Sequence, residues 1–374
     1  MSLLSLSASQ FRNLTAVSLQ AHRQFNLIIG MNGSGKTSLL EAIYYLAHGR
    51  SFRTSRTQRL IQHDENSFVL HAKVSEQQQT HSLGLQRDKQ GDLLLRLNGA
   101  NVNRLAEFAQ LLPVQLITPD SFRLFFGGPK ERRQFFDMGL FHVEQSFFDS
   151  WLRFNKVLKQ RNALLKTSRQ YGSQFEFWDQ QFAELAFELQ QLRAKYVNQL
   201  EAAFRTLTAD AEQPLMAELN FQLQQGWPER VATAADLQQL LQQSFTQDYR
   251  MGFTQYGPQK ADLKIKKDQW AAEEVLSRGQ LKVLLFALKI AQNNVIRDSG
   301  RKQPLLLIDD LASELDQQST RQIFSYLRDI NSQVFITAIN AEQVSPFIDA
   351  GQLAMFHVEH GQLTARTDND GRTT

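Results

Sequence analysis

Phe25-Asn26-Leu27-Ile28-Ile29-Gly30-Met31-Asn32-Gly33-Ser34-Gly35-Lys36-Thr37 joins a short apolar run to a glycine-rich turn. The run reads as a buried strand. Ser38 to His48, with Leu39, Leu40, Ile43, Leu46 and Ala47 on one face, reads as an amphipathic helix. Strand, glycine turn and helix in that order form a phosphate-binding loop. The glycines let successive backbone N–H groups turn inward without Cβ clashes, so they cradle a phosphate at a helix N-terminus whose partial positive charge favours anions. The residues expected at the phosphates are Gly30, Asn32, Gly33, Ser34, Gly35, Lys36, Thr37 and Ser38. Lys36 reaches the β- and γ-phosphates, and Thr37 places its hydroxyl on Mg²⁺.

Composition narrows the classes that can carry such a loop. At 374 residues and 42% hydrophobic side chains the chain can bury a full core, and its length predicts two domains or one domain with a large insertion. No apolar run approaches the roughly 20 residues that cross a bilayer, and no basic region followed by a long apolar core opens the sequence. Neither a membrane span nor a signal peptide is expected. Zero cysteines exclude disulfides and thiolate metal sites, which agrees with a cytoplasmic protein. With 41 Lys and Arg against 38 Asp and Glu, any affinity for nucleic acid has to come from where the charge is placed. The histidines show no metal-ligand spacing; His357 and His360 lie three apart in an extended segment and face opposite sides.

Working outward, Leu4, Leu6 and Ala8 alternate with polar residues and Ala16 to Leu19 offers a second short strand, a hairpin that leads into the core strand. After the first helix, arginines recur at Arg50, Arg53, Arg56 and Arg59, either a solvated face or a set of contacts to nucleotide phosphates or nucleic acid. Strand-like runs follow at 68–74, 83–86, 93–97 and 114–117. The pattern changes after Gly127-Gly128-Pro129. From Lys130 to about Thr208 the spacing is helical, and Trp178, Phe182, Leu185, Leu189, Leu192 and Tyr196 form a heptad-like seam. The preceding helix carries Trp151, Phe154, Leu158 and Leu165 on one face. Two long antiparallel helices joined near Tyr171-Gly172-Ser173 would bury these faces together. Between Trp151 and Arg169 lie Arg153, Lys156, Lys159, Arg161, Lys166 and Arg169 with no acid among them, most of them opposite the apolar stripe. That face either meets DNA, with Lys156 and Lys159 foremost, or is a solubilising surface that pairs with acids such as Glu184 or Glu188.

Irregular Gln-rich chain is expected through Gly226-Trp227-Pro228, then a helix at 236–245, a strand at 262–265 and a strong helix at 281–294. Leu305-Leu306-Leu307-Ile308 reads as a fully buried strand, 317–330 as a helix and 334–337 as another strand, so the sheet is parallel with crossover helices. The polar tail from Arg366 is expected to be disordered. The buried strand at 305–308 delivers Asp309-Asp310 at its carboxyl end. Asp309 can hold the Mg²⁺ that Thr37 also binds, and Asp310 can orient an attacking water.

Two further pieces define a resemblance. Leu276-Ser277-Arg278-Gly279-Gln280 looks like the signature motif of ABC-type ATPases, and Ala312-Ser313-Glu314-Leu315-Asp316 resembles their D-loop. The resemblance implies that two copies close head to tail over two ATP molecules, with Ser277, Arg278, Gly279, Gln280 and Asp316 serving the nucleotide held by the other copy. The interval of 241 residues between Lys36 and Ser277 exceeds that of transporter ATPase domains and falls far short of the coiled-coil arms of SMC and Rad50 proteins. Together with Phe11-Arg12-Asn13, Gly49-Arg50-Ser51-Phe52-Arg53, Gly128-Pro129-Lys130-Glu131-Arg132-Arg133 and Phe136-Asp137, this closely resembles the RecF family of bacterial recombination mediators from residue 3 to about residue 363.

What the family implies is an α/β fold: an ABC-type ATPase domain over 1–127 and 251–374, with an inserted all-helical lobe over 128–250. It implies an ATP-dependent homodimer that binds gapped DNA or single-strand/double-strand junctions and helps RecR and RecO load RecA. ATP and Mg²⁺ are the implied cofactors, and the activity is a weak DNA-stimulated ATPase used as a switch. Asp310 stands where fast ABC ATPases carry Glu, and a carboxylate one methylene shorter predicts slow hydrolysis. Ala338-Ile339-Asn340 follow the strand where that superfamily has a switch His, and Pro119 sits near the place of its loop Gln. The competing reading is the ATPase subunit of a membrane transporter.

Overall fold

The computed structural model describes residues 1–76, 79–209, 216–300, 303–311, 315–328, 330 and 332–366. In chain order, β1 (Ser2–Phe11), β2 (Leu14–Gln20) and β3 (Phe25–Ile29) lead into α1 (Lys36–His48), then β4 (Ser67–Glu76), β5 (Gln79–Asp88), β6 (Leu93–Leu97), β7 (Ala100–Val102), α2 (Ala106–Leu111) and β8 (Val114–Ile117). Helices follow: α3 (Arg123–Phe126), α4 (Pro129–Val143), α5 (Gln145–Thr167) and α6 (Ser173–Thr208). Next come β9 (Leu219–Gln224), α7 (Ala234–Gln243), α8 (Phe245–Met251), β10 (Asp262–Lys267), β11 (Trp270–Ala271), α9 (Ala272–Val275) and α10 (Arg278–Asp298). The chain ends with β12 (Leu305–Ile308), α11 (Gln317–Arg328), β13 (Val334–Ala338), β14 (Leu353–Glu359) and β15 (Gln362–Arg366). The tail beyond residue 366 and the D-loop residues 312–314 lie outside the described residues.

The chain packs as two units, Met1–Ser121 with Lys302–Thr374, and Phe122–Arg301. The first unit holds two six-stranded sheets, one in the order β15-β14-β3-β13-β12-β8 and the other β2-β1-β4-β5-β6-β7. In the former, β14, β3, β13, β12 and β8 run parallel, and β3, β12 and β13 are buried along their whole length. That two-sided burial is why these strands are continuous apolar runs in the sequence. The second sheet is an antiparallel meander in which alternate residues of β4 (Phe68, Leu70, Ala72, Val74) turn inward. Helix α1 contributes Leu40, Ile43 and Leu46 to a single core shared with Leu6 and Phe68 of the meander and Leu307 and Phe335 of the parallel sheet.

The second unit is built on the α5–α6 hairpin, and α6, 36 residues long, measures about 54 Å. Phe154 meets Phe182 across the seam with ring centroids 5.0 Å apart. The inward face of α5 is Phe147, Ser150, Phe154, Val157, Arg161 and Leu165, whereas Trp151 is exposed. This corrects the predicted stripe by a fraction of a turn, and it moves Arg161 from the expected basic surface into the interior. Arg153 pairs with Glu188 at 3.2 Å, one of the acids considered above, while Lys156 and Lys159 are exposed.

Two further departures concern this unit. Residues 219–224, expected to be irregular, form β9 and pair antiparallel with β10. Leu219, Phe221 and Leu223 alternate with Asn and Gln, a period of two that the surrounding glutamines obscure. The unit also retains residues 251–301, which the expected boundary at 250 assigned to the ATPase domain. The physical reason is α10: its Gln292 amide donates to the Phe135 carbonyl of α4 at 2.9 Å and to the Tyr196 hydroxyl of α6 at 3.2 Å. Arg132 adds a bidentate pair with Asp262 at 2.7 and 2.9 Å.

Candidate nucleotide-binding site

The loop between β3 and α1 has the geometry its glycines require. Gly35, at the N-cap of α1, has φ +123°, a conformation that L side chains rarely adopt. Gly30 is fixed by close approach as well, since a Cβ there would lie 2.3 Å from the Val358 carbonyl oxygen. Asn13 braces the loop from the β1–β2 turn: its Nδ2 donates to the Gly33 carbonyl at 3.2 Å and its Oδ1 accepts from the Ser38 hydroxyl at 2.8 Å. Lys36 donates to the carbonyls of Gly30 and Met31 at 2.7 and 3.0 Å.

The acidic half arrives on the neighbouring parallel strands. The Asp309 amide donates to the Ile117 carbonyl at 2.9 Å, extending the β12–β8 ladder past the end of β12. Its Oδ1 accepts from the Thr37 hydroxyl at 3.0 Å and from the Thr337 hydroxyl of β13 at 2.8 Å. Thr337 Oγ1 in turn accepts from the Asp310 backbone N–H at 2.8 Å. Asp310 sits at φ +57°, an unfavourable region for a residue with a Cβ, and that hydrogen bond ties it there. Burial, then the charge of Asp310, raises the Asp309 carboxyl above its ordinary value, against the lowering by the Thr337 and Thr37 hydroxyls. Burial lowers the Lys36 ammonium, while Asp310 and Asp309 oppose it.

These groups line a cleft of about 520 Å³ together with Asn32, Gly33, Gly35, Ser38 and Pro119. Arg12, Arg53 and Arg59 complete its walls. Arg12 clasps Glu41, fully buried in α1, with Nε and Nη2 at 2.9 and 2.8 Å, and its Nη1 donates to the Arg59 carbonyl at 3.0 Å. Ser51 also hydrogen bonds to Glu41, and Arg53 lies 3.6 Å from it. Of the four recurring arginines, Arg53 and Arg59 therefore face the nucleotide cleft, Arg50 joins Arg53 at an adjoining cleft of about 450 Å³, and Arg56 is exposed.

Sequence reasoning gave no role in this site to Arg12, Asn13, Glu41 or Thr337. Glu41 carried a signal, an acid among Leu39, Leu40 and Ile43 on a helix bound for the core; Thr337, at the end of an apolar strand, carried none.

The signature segment belongs to the second unit. Ser277 is the N-cap of α10, its hydroxyl accepting from the Gln280 amide at 3.2 Å while Gln280 Oε1 accepts from the Ser277 N–H at 2.9 Å. Ser277 and Arg278 are exposed, at the positive end of a 21-residue helix. Asp316 accepts from the Ser319 amide at 2.7 Å at the start of α11. Among the described residues no group of three or more His, Asp or Glu gathers at metal-binding distance, and no helix is long and apolar enough to cross a membrane.

Comparison with known proteins gives the class first. Residues 2–364 match the family model of the RecF/RecN/SMC N terminal domain. The fold is similar to the Smc head domain of Pyrococcus furiosus, with TM-score 0.56 at 16% identity over 98% of this chain and 96% of that one. The molecule therefore has the ABC-type ATPase fold of RecF, RecN and SMC heads. The family within that class comes from curated relatives. The DNA replication and repair protein RecF of Pseudoalteromonas translucida strain TAC 125 is 45% identical over 369 residues, covering 98% of this chain and 100% of its own. RecF of Haemophilus influenzae strain ATCC 51907 is 42% identical over 365 residues, 98% of this chain and 99% of its own. A solved structure of the recombination mediator RecF with ATP, in the RecFOR pathway, superposes with TM-score 0.79 at 24% identity, over 98% of this chain and 97% of that one. The chain belongs to the RecF family of DNA replication and repair proteins, and the transporter reading is set aside.

Proposed function

We propose that the chain is an ATP-operated switch on DNA in recombinational repair and replication restart. ATP binding closes two copies into a dimer on gapped DNA or a single-strand/double-strand junction, where with RecR and RecO it assists loading of RecA. Slow hydrolysis in the cytoplasm resets it. The observation that carries the nucleotide part is the hydrogen-bonded set of Thr37, Asp309 and Thr337 at the mouth of the phosphate loop. A hydroxyl and a carboxylate 3.0 Å apart fit a Mg²⁺ that draws the rest of its shell from phosphate oxygens and water. Bound there, the ion would neutralise charge on the β- and γ-phosphates.

The chain's own groups have separate tasks. Lys36 turns from the loop carbonyls to the phosphates, and the loop amides hold the β-phosphate. Asp310 orients the attacking water. Ser277 to Gln280, at the start of α10, and Asp316 serve the γ-phosphate held by the second copy. Family membership supports the DNA, RecR, RecO and RecA side of this reading, and the RecF relative solved with ATP supports the cofactor.

The test is retention on DNA-cellulose. The protein is expected to bind with ATP and Mg²⁺ and to elute in moderate salt, because phosphate contacts release counterions. Retention that ignores both nucleotide and salt contradicts the proposal.

A further inference from the structure

The outward face of α5 has a composition that neither the fold nor the nucleotide site explains. Phe148, 44% exposed, and Trp151, 37% exposed, lie near-parallel with ring centroids 6.5 Å apart and planes 14° apart. Phe141, at the end of α4 and 46% exposed, meets Phe148 edge-on at 5.4 Å. At 100° per residue Phe148, Lys159 and Lys166 fall within about 20° of one another, with Trp151 about 60° to one side and Lys156 about 80° to the other, and this exposed band lies away from the buried centre at Phe154, Val157 and Arg161. All three lysines are exposed, and none has an ion-pair partner among the described residues. On the same helix Asp149 is the one acid, and Glu188 of α6 is taken by Arg153 at 3.2 Å and by the Ser150 hydroxyl.

The geometry points to a path for single-stranded nucleic acid along this face, with bases stacking on Phe148 and Trp151 and phosphates running over Lys156, Lys159 and Lys166. The proposal rests on the DNA-binding reading above and narrows it to one strand form on one surface. Flat exposed rings give duplex DNA nothing to hold, since its bases are already stacked inside, whereas every base of a single strand offers a π-face. A row of unpaired cations continuing from the rings supplies charge complementarity for a strand. A protein hot spot would more often be ringed by near-neutral contacts that exclude water. From Phe148 to Lys166 the stripe measures about 27 Å, room for about four nucleotides, the lower end of known single-strand site sizes.

The experiment is fluorescence anisotropy of the full chain in saturating ATP, with a labelled oligothymidylate and, separately, a blunt duplex. Phe148→Ala combined with Trp151→Ala is expected to weaken oligothymidylate binding about 10-fold or more while duplex affinity stays within about two-fold. Trp151→Tyr, which keeps a ring, should retain most of the single-strand affinity and controls for folding. Lys156→Gln with Lys159→Gln should lower the salt slope on the single strand by about 0.7 per lost contact. Unchanged oligothymidylate affinity in the aromatic double variant overturns the proposal, as does an equal loss on both nucleic acids. A change confined to self-association also overturns it and makes the face a protein interface. If the parent binds neither probe, the DNA-binding reading itself fails, an outcome distinct from all of these.

Discussion

Two arginines anchor the two units by the same chemistry and with different results. Arg12 grips one carboxylate, Glu41, from the wall of the nucleotide cleft, with Arg53 3.6 Å from the same carboxylate. Arg161 is wholly buried and holds two carboxylates, Asp179 through Nε at 2.6 Å and Asp248 through Nη1 at 2.7 Å, with the Thr254 hydroxyl at 2.9 Å. Around Arg12 the cations outnumber the local acid and their excess faces a polar opening, which suits a polyphosphate. Around Arg161 the acids outnumber the cation and the donors are spent on Asp179, Asp248, Thr254 and the Leu241 carbonyl. A buried ion pair is thus no mark of function by itself; the sign of the charge left over, and whether it faces a cleft, separates a ligand site from a structural pin.

That contrast is sharpest in stability. Arg161→Met should cost about 3–5 kcal/mol in urea denaturation, because it leaves two buried carboxylates uncompensated. Arg12→Met should cost only about 1–3 kcal/mol, since Glu41 keeps Ser51 and Arg53. Equal costs would erase the distinction. The same measurement has a pH signature. Burial raises the Asp179 and Asp248 carboxyls, with Arg161 opposing it, so these two groups hold protons more tightly in the native state than in the unfolded chain. Their contribution to stability should therefore rise as pH falls from neutral through the raised values toward the ordinary carboxylate value of about 3.9, and the difference between the parent and Arg161→Met should depend on pH over that window.

Smaller in stability but decisive for assembly is Ser277→Arg. Loss of the α10 cap should cost about 1 kcal/mol, and nucleotide binding by the monomer should stay nearly intact while dimer formation and hydrolysis stop. Mixing this variant with a Lys36 variant should restore one composite site of two. Weakened ATP affinity in Ser277→Arg, as large as in Lys36→Met, would place Ser277 in its own chain's site.

Much of this was legible in the sequence because the chemistry is local. A phosphate loop needs its glycines in order between a strand and a helix, and a buried parallel strand ending in Asp309-Asp310 announces itself by an unbroken apolar run. What escaped was set by distant contacts. Thr337 reaches Asp309 only because β13 lies between β3 and β12, and α10 joins the second unit through Gln292. Arg161 was misplaced for a different reason. It falls one heptad after Phe154, on the buried face, but the bulk of Trp151 and Leu158 drew the apolar stripe to the wrong side, and Asp179 and Asp248, which make its burial possible, come from other helices.

In the proposed switch, ATP assembles two copies, with the phosphate loop of one copy and the Ser277 segment of the other serving each nucleotide. Sedimentation of the parent and of Lys36→Met with no nucleotide, with ADP, with ATP, and with ATP and DNA decides whether it does. The parent should be a monomer without nucleotide or with ADP and a dimer with ATP. Lys36→Met should stay monomeric throughout, with thermal stability little changed, because the hydrogen bonds of Lys36 go to the Gly30 and Met31 carbonyls of its own loop and tie it to no other element. A parent that remains monomeric in ATP and DNA, or a Lys36→Met variant that dimerises with ATP as the parent does, would contradict it.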